Sequence, residues 1–182
     1  MQLVIYGDFN CPFSALASSR SARLEQSGTA QVDWRAVAHD LEIPAQGDAV
    51  EKANARAYEA ELEQVRGLLL PDESLTLRVP TVRSSTVAAT DAYAATEPRS
   101  RAQVRIELFR AYWEQGRDIG DPIVLRAMDL DARAPAVAAD WRSEWLDFDR
   151  PLVPIMRLPD GYVSCGLGAL ARLADLLVDA AA

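Results

Sequence analysis

Strand patterns stand at both ends of this chain and helical patterns fill its middle, an order that leaves few folds open to it. "QLVIYGDF" (2–9) is a short apolar run closing on Gly7-Asp8, and it reads as a buried strand. "CPFSALASSRSARLEQSG" (11–28) follows. Pro12 fits the first turn of a helix, where its missing N–H costs nothing. Phe13, Leu16, Ala17 and Leu24 share one face, and Gly28 can end the helix. "QVDWRAV" (31–37) alternates apolar and polar residues, which predicts a second strand. Near the other end, "PLVPIMRL" and "YVSCG", joined by Pro-Asp-Gly, read as a hairpin. "LGALARLADLLVDAA" is an amphipathic terminal helix. Between these parts, from about Pro44 to Ala139, the pattern is helical in pieces: 47–70, 84–96, 100–116, 121–129 and 134–149. Ser84 or Ser85 is the expected N-cap of the second piece, and Asp121, ahead of Pro122, that of the fourth. The expected class is α/β: a βαβ unit and a ββα unit (1–43 and 150–182) with an all-helical insertion (44–149).

Composition narrows the function classes. With 182 residues, 49% of them hydrophobic, the chain can bury a real core as one compact domain with an inserted subdomain. The net charge of -8 argues against a general nucleic-acid surface, which needs a clustered basic face. No apolar run approaches the ~20 residues of a membrane span. No basic stretch leads into an apolar core and a cleavage site, so the expected compartment is the cytoplasm. Two cysteines do not make a disulfide scaffold, and one histidine gives no zinc set, so no metal is expected.

Three stretches carry a resemblance: "DFNCPFS" (8–14), "LFRAYWEQGRDIGDPIVL" (108–125) and "LVPIMRLPDGYVSCGLGAL" (152–170). In this order they resemble the DsbA-like thioredoxin-fold family, and most closely its cytosolic FrnE-like branch. The first is similar to the family's active-site motif, the second to the FrnE-like insertion helices. The third is similar to the valine–cis-proline strand, the hairpin and the glycine-containing entry to the last helix. The resemblance implies the thioredoxin fold with an inserted helical subdomain. Two departures stand out. Ser14 replaces the second active-site cysteine, giving C-P-F-S, and Ser84-Ser85 stand where Asn-Ser or Asn-Thr is usual.

Cys11, at a helix N-terminus, faces backbone N–H groups and the positive end of the helix dipole. Both favour thiolate, the nucleophilic form, so its pKa is expected below the usual ~8.5. Ser14 lies one helical turn on. Its hydroxyl cannot release a mixed disulfide as a resolving thiol would, but it can donate to the Cys11 sulfur. The resemblance implies a cis bond at Val153-Pro154, with Pro154 lying against Cys11 and the Val153 backbone free to pair with a bound peptide. Val79-Pro80 is the competing candidate, less favoured because helices follow it. Pro12, Phe13, Val153, Gly166 and Gly168 are the expected substrate-binding residues. Cys165 is a small residue at a strand end before it is a distant resolving thiol. His39 has no partner fixed by the sequence, so packing or surface is the plainer reading. Asp8 would raise the Cys11 pKa if close. The four tryptophans read as core or groove wall.

Three functions follow. The leading one is a thiol-disulfide oxidoreductase with a monothiol site, in which Cys11 attacks protein or low-molecular-weight disulfides. No resident cofactor is expected, and glutathione is the candidate co-substrate. The second is an enzyme like kappa-class glutathione transferases and 2-hydroxychromene-2-carboxylate isomerases, in which a serine in the helix-start motif positions glutathione's sulfur. Cys11 at that first position speaks against direct carry-over. The third is a non-catalytic binding module whose helical segment holds another protein, or a second copy in a homodimer.

Overall fold

The computed structural model describes residues 1–131, 133 and 135–181. β1 (Gln2–Gly7) leads into α1 (Pro12–Gln26) and β2 (Gln31–Ala36). The long connection holds β3 (Asp48–Ala49), α2 (Lys52–Gly67), β4 (Val82–Arg83), α3 (Val87–Ala95), a 3-10 turn at Pro98–Ser100, α4 (Arg101–Trp113), α5 (Pro122–Arg126) and α6 (Pro135–Leu146). β5 (Ile155–Arg157), β6 (Val163–Cys165) and α7 (Leu167–Ala181) complete the chain. The main sheet runs β2-β1-β5-β6. β1 and β2 are parallel, in register from Gln2 opposite Gln31 to Gly7 opposite Ala36. β5 is antiparallel to β1, and β6 to β5. This is the expected βαβ and ββα arrangement around one mixed sheet.

The inward residues of β1, Leu3 and Ile5, are fully buried, as are Leu16 and Leu24 of α1 and Leu170 and Leu173 of α7. α1 packs against α7 and α4, while α3 and α6 pack on β2. All four tryptophans are buried in this core. Two buried arginines join the segments. Arg20 of α1 donates to the Leu170 carbonyl of α7 (2.7 Å), to the Leu68 carbonyl (2.6 Å) and to Glu73 (2.8 Å). Arg105 of α4 donates to Ser18 (3.1 Å) and Glu25 (2.7 Å) of α1, with its guanidinium over the Trp34 ring.

The middle segment is not wholly helical. Asp48 and Ala49 pair antiparallel with Arg83 and Val82, so α2 begins at Lys52 rather than Gly47. Gly47 has φ +71°, and a Cβ there would meet Val82 Cγ1 at 2.7 Å. The N-cap position of α3 is Thr86, neither Ser84 nor Ser85, and no side chain caps the helix there; the Ser84 hydroxyl donates instead to Asp118 (2.6 Å). Asp121 caps α5 as expected, accepting from the Ile123 N–H (2.7 Å). Ala134, the first residue of the expected fifth helix, lies outside the described residues. No helix among the described residues is long and apolar enough to cross a membrane.

Candidate active site

The site forms where β1 stops and α1 begins. Gly7 ends the strand under the Trp34 ring, where a Cβ would come within 2.3 Å of Cζ2. The chain turns through Asp8, Phe9 and Asn10. The Cys11 N–H donates to the Asp8 carbonyl (3.2 Å), and the Cys11 carbonyl accepts from the Ala15 N–H (3.1 Å), opening the helix. Cys11 is thus the N-cap residue, in extended conformation, and Pro12 stands in the first turn. The turn is held from behind by Trp113, whose indole N–H donates to the Phe9 carbonyl (2.9 Å).

From the other end of the chain, β5 brings the Val153-Pro154 peptide, which is cis. Val79-Pro80 is not. The Cys11 thiol donates to the Val153 carbonyl at 3.8 Å, across 142 positions of sequence. Pro154 is buried and Val153 half-buried. The Gly166 N–H donates to the Pro154 carbonyl (2.8 Å), tying the entry of α7 to the same strand, with Gly166 at φ +55°. Gly168 is exposed and meets nothing within 4 Å where a Cβ would stand; of the expected substrate-binding residues only Pro12 and Phe13 line the cleft beside Cys11, while Val153, Gly166 and Gly168 do not. Cys11 and Cys165 are both free and half-buried.

A cleft of about 270 Å³ opens beside Cys11. Pro12 and Phe13 line it from α1, His39 from the loop after β2, Tyr58 and Glu61 from α2, and Arg83 from β4. The connecting segment therefore supplies one wall of the cleft, and the helix start supplies another.

The expected low pKa of Cys11 is not what the site produces. Burial pushes it up to about 11, against the hydrogen bonds of the Ser14 hydroxyl and N–H, which pull it down; the Asp8 carboxylate adds to the rise. The loss of water around the sulfur outweighs the helix terminus. Ser14 itself is fully buried, and its Oγ also accepts from the Asp8 N–H (3.3 Å), so it braces the turn as well as the thiol.

Sequence reasoning passed over the pair behind the thiol. Asp8 is fully buried. Its Oδ2 accepts from the backbone N–H of His39 (2.7 Å) and lies 2.6 Å from His39 Nδ1, while Oδ1 accepts from the Asn10 N–H (3.3 Å). The parallel register accounts for the contact: the residues that follow Gly7 and Ala36 leave the sheet at the same end, so position 8 and position 39 meet. His39 is pushed down by burial, but the hydrogen bond and charge of Asp8, with Asp40 and Glu61 beyond, outweigh this and leave its pKa raised. Asn10 donates to the Ser84 carbonyl (3.2 Å); the Ser84 hydroxyl donates to Asp118, which also accepts from the Gly120 N–H (2.9 Å). Tyr6 turns elsewhere, its hydroxyl donating to Glu144 of α6 (2.6 Å).

The sequence profile of the DSBA-like thioredoxin domain matches residues 2–144. No curated protein sequence matches the chain. Among solved structures, the chain is similar to a probable DsbA oxidoreductase from Streptomyces coelicolor (16% identity, TM-score 0.71, covering 99% of this chain and 89% of that one). It is also similar to a 2-hydroxychromene-2-carboxylate isomerase (19% identity, TM-score 0.65, 98% and 95%). A third likeness is to the cytosolic disulfide reductase DsbM from Pseudomonas aeruginosa, solved with glutathione (17% identity, TM-score 0.62, 98% and 96%).

Proposed function

Because the chain belongs to the family of DsbA-like thioredoxin domains, we propose that it is a thiol-disulfide oxidoreductase with a monothiol site, Cys-Pro-Phe-Ser, of the FrnE-like kind and working in the cytoplasm. Residues 1–43 and 150–182 form the thioredoxin-like unit, and 44–149 the inserted subdomain that walls its cleft. The observation that carries this reading is the Cys11 sulfur lying against the Val153 carbonyl beside the cis Val153-Pro154 bond, at the edge of an open cleft.

Cys11 is the nucleophile. Its sulfur attacks one sulfur of a protein disulfide or of oxidised glutathione, the substrate S–S bond breaks, and the other half leaves as a thiolate. The Val153 backbone pairs with the bound peptide, and Pro12, Phe13 and Gly166 border it. Ser14 cannot resolve the mixed disulfide, so a second thiol from solution attacks it and returns Cys11 to the thiolate. With burial pushing Cys11 up to about 11, the resting sulfur is held mainly as the neutral thiol.

That neutral thiol also favours a second reading. A thiol S–H that donates a hydrogen bond does what a serine hydroxyl does in holding the sulfur of glutathione. In that case the chain is a glutathione-dependent transferase or isomerase, and Cys11 is never modified. Intact-mass measurement after exposure to oxidised glutathione separates the two. The first reading expects a mixed disulfide on Cys11 in wild type, absent in Cys11→Ser and lost again by internal exchange in Ser14→Cys. Glutathione conjugation or isomerisation without an adduct overturns it in favour of the second. No adduct and no turnover leave a binding module.

A further inference from the structure

Asp8 and His39 form a unit that the site chemistry above does not use. The carboxylate is fully buried, and its three contacts are the N–H of Asn10, the N–H of His39 and His39 Nδ1. His39 is fixed twice over by one oxygen, through its backbone and its ring. Its Nδ1 proton is committed to Asp8, so Nε2 is the nitrogen left with a lone pair. The ring is partly exposed (40%) and lines the same cleft as Cys11. The same Asp8 receives the Cys11 N–H on its backbone carbonyl. One residue therefore anchors both the backbone of Cys11 and the imidazole.

We propose that His39, oriented by Asp8, is the proton carrier of the Cys11 site, taking the thiol proton on attack and returning it to the departing sulfur. The inference deepens the oxidoreductase reading and rests on it for its substrate, a disulfide. In the step, the Cys11 S–H leaves the Val153 carbonyl, its bond breaks, and the proton passes across the cleft that the two residues line to Nε2 of neutral His39. The Cys11 electron pair forms the new S–S bond as the substrate S–S bond breaks, and its pair leaves on the distal sulfur. That sulfur takes the proton from His39, giving a free thiol and a neutral ring. One disulfide is exchanged for another, and no outside oxidant or reductant is consumed.

The electrostatics suit this role. The sulfur resists ionising chiefly because burial strips its water, and further because it would add a second negative charge to the turn that holds the Asp8 carboxylate. An imidazolium formed on Asp8 offsets both charges. The charged groups facing the ring are Asp8 beneath it, Asp40 in its own loop, Glu61 from α2 and Arg83 from β4, the last also engaged with Asp40 (3.7 Å) and Asp48 (3.1 Å). Cys11 and Tyr58 complete the titratable groups of the cleft.

The test is the pH dependence of Cys11 alkylation by iodoacetamide, in a Cys165→Ser background so that one thiol is read. The unaltered site is expected to show an inflection above the ordinary histidine value near 6.5, the rate rising as His39 loses its proton and becomes able to accept one. His39→Asn keeps a donor where Nδ1 stood and so preserves the Asp8 contact, but it cannot carry a proton. Its profile is expected to lose the inflection and climb only toward the thiol's own ionisation, with the rate at pH 7 down about 10²-fold. His39→Gln is the second variant if the first does not fold. An unchanged profile and rate in either folded variant overturns the proposal. Failure of the oxidoreductase reading is separately visible: alkylation would keep the His39 inflection while oxidised glutathione left Cys11 unmodified.

Discussion

At the scale of the residue, the site depends on two closely packed positions, Gly7 and Ser14. Gly7 stops β1 against Trp34, and a methyl group there would stand 2.3 Å from the indole ring. That ring is packed edge-on to Phe109 and beneath Arg105, so it has nowhere to go. Gly7→Ala is expected to destabilise the fold by about 1–3 kcal/mol through overpacking, measured by urea denaturation. It should also shift the turn that carries Asp8 and Cys11, visible as a slower alkylation of Cys11. Ser14 is the second position. Ser14→Cys places a thiol one helical turn from Cys11, in a fully buried spot that already accepts the Asp8 N–H. This variant is expected to form an internal disulfide on mild oxidation and to lose the Cys11 mixed disulfide once formed, both read by mass. A persistent adduct in Ser14→Cys would show that position 14 cannot reach the sulfur.

At the scale of the element, α1 is the hub. Its N-terminus presents Cys11, its middle carries Arg20, and its flank receives Arg105 from α4. Arg20 joins three separate stretches of chain: α7 through Leu170, the loop after α2 through Leu68, and Glu73. Removing one partner of a buried pair leaves the other charge uncompensated, so Arg20→Met is expected to cost about 3–5 kcal/mol. For a chain of this length that is a fall of very roughly 6–20 °C in melting temperature, seen by calorimetry. Replacing Arg20 and Glu73 together with apolar residues should recover much of the loss; equal losses in the single and double variants would show that the carbonyl contacts, not the charge pair, carry the effect. A smaller change is expected at α5, where Asp121→Ala removes the N-cap at about 1 kcal/mol.

At the scale of the whole molecule, pH acts on stability with opposite sign at Glu73 and at His39. Burial pushes Glu73 up, but its bonds to Arg20 and the Leu70 N–H prevail, and its folded pKa lies below the ordinary value near 4.5. A depressed carboxylate contributes stability above the unfolded pKa and loses it as pH falls through the folded one. The advantage of wild type over Glu73→Gln should therefore shrink below about pH 4.5, followed by acid denaturation of both. His39 runs the other way: its folded pKa is raised, so its contribution is complete below about 6.5 and fades as pH rises through the folded value. The same scale explains what could be read from the residues alone. Cys11, Pro12 and the β1–α1 junction announce themselves through neighbours in sequence, and the Val153-Pro154 strand through a recognisable motif. The Asp8–His39 contact, the Trp113 bond to Phe9 and the β3–β4 pair join positions 31 to 104 residues apart; no local pattern encodes them. The thiol's pKa is hidden from the sequence for a related reason. A helix start is visible in sequence, whereas the packing that strips water from a sulfur is not.

The run of hydrogen bonds from Asn10 through Ser84 to Asp118 and Gly120 has a practical meaning for anyone building chimaeras of this protein. These bonds tie the turn that carries Cys11 to the middle segment. Swapping residues 44–149 for those of a relative keeps the Asn10 bond only if the donor backbone brings a carbonyl to the place of Ser84, and keeps the rest of the run only if a hydroxyl and a carboxylate stand where Ser84 and Asp118 do. The two parts have to be transplanted together.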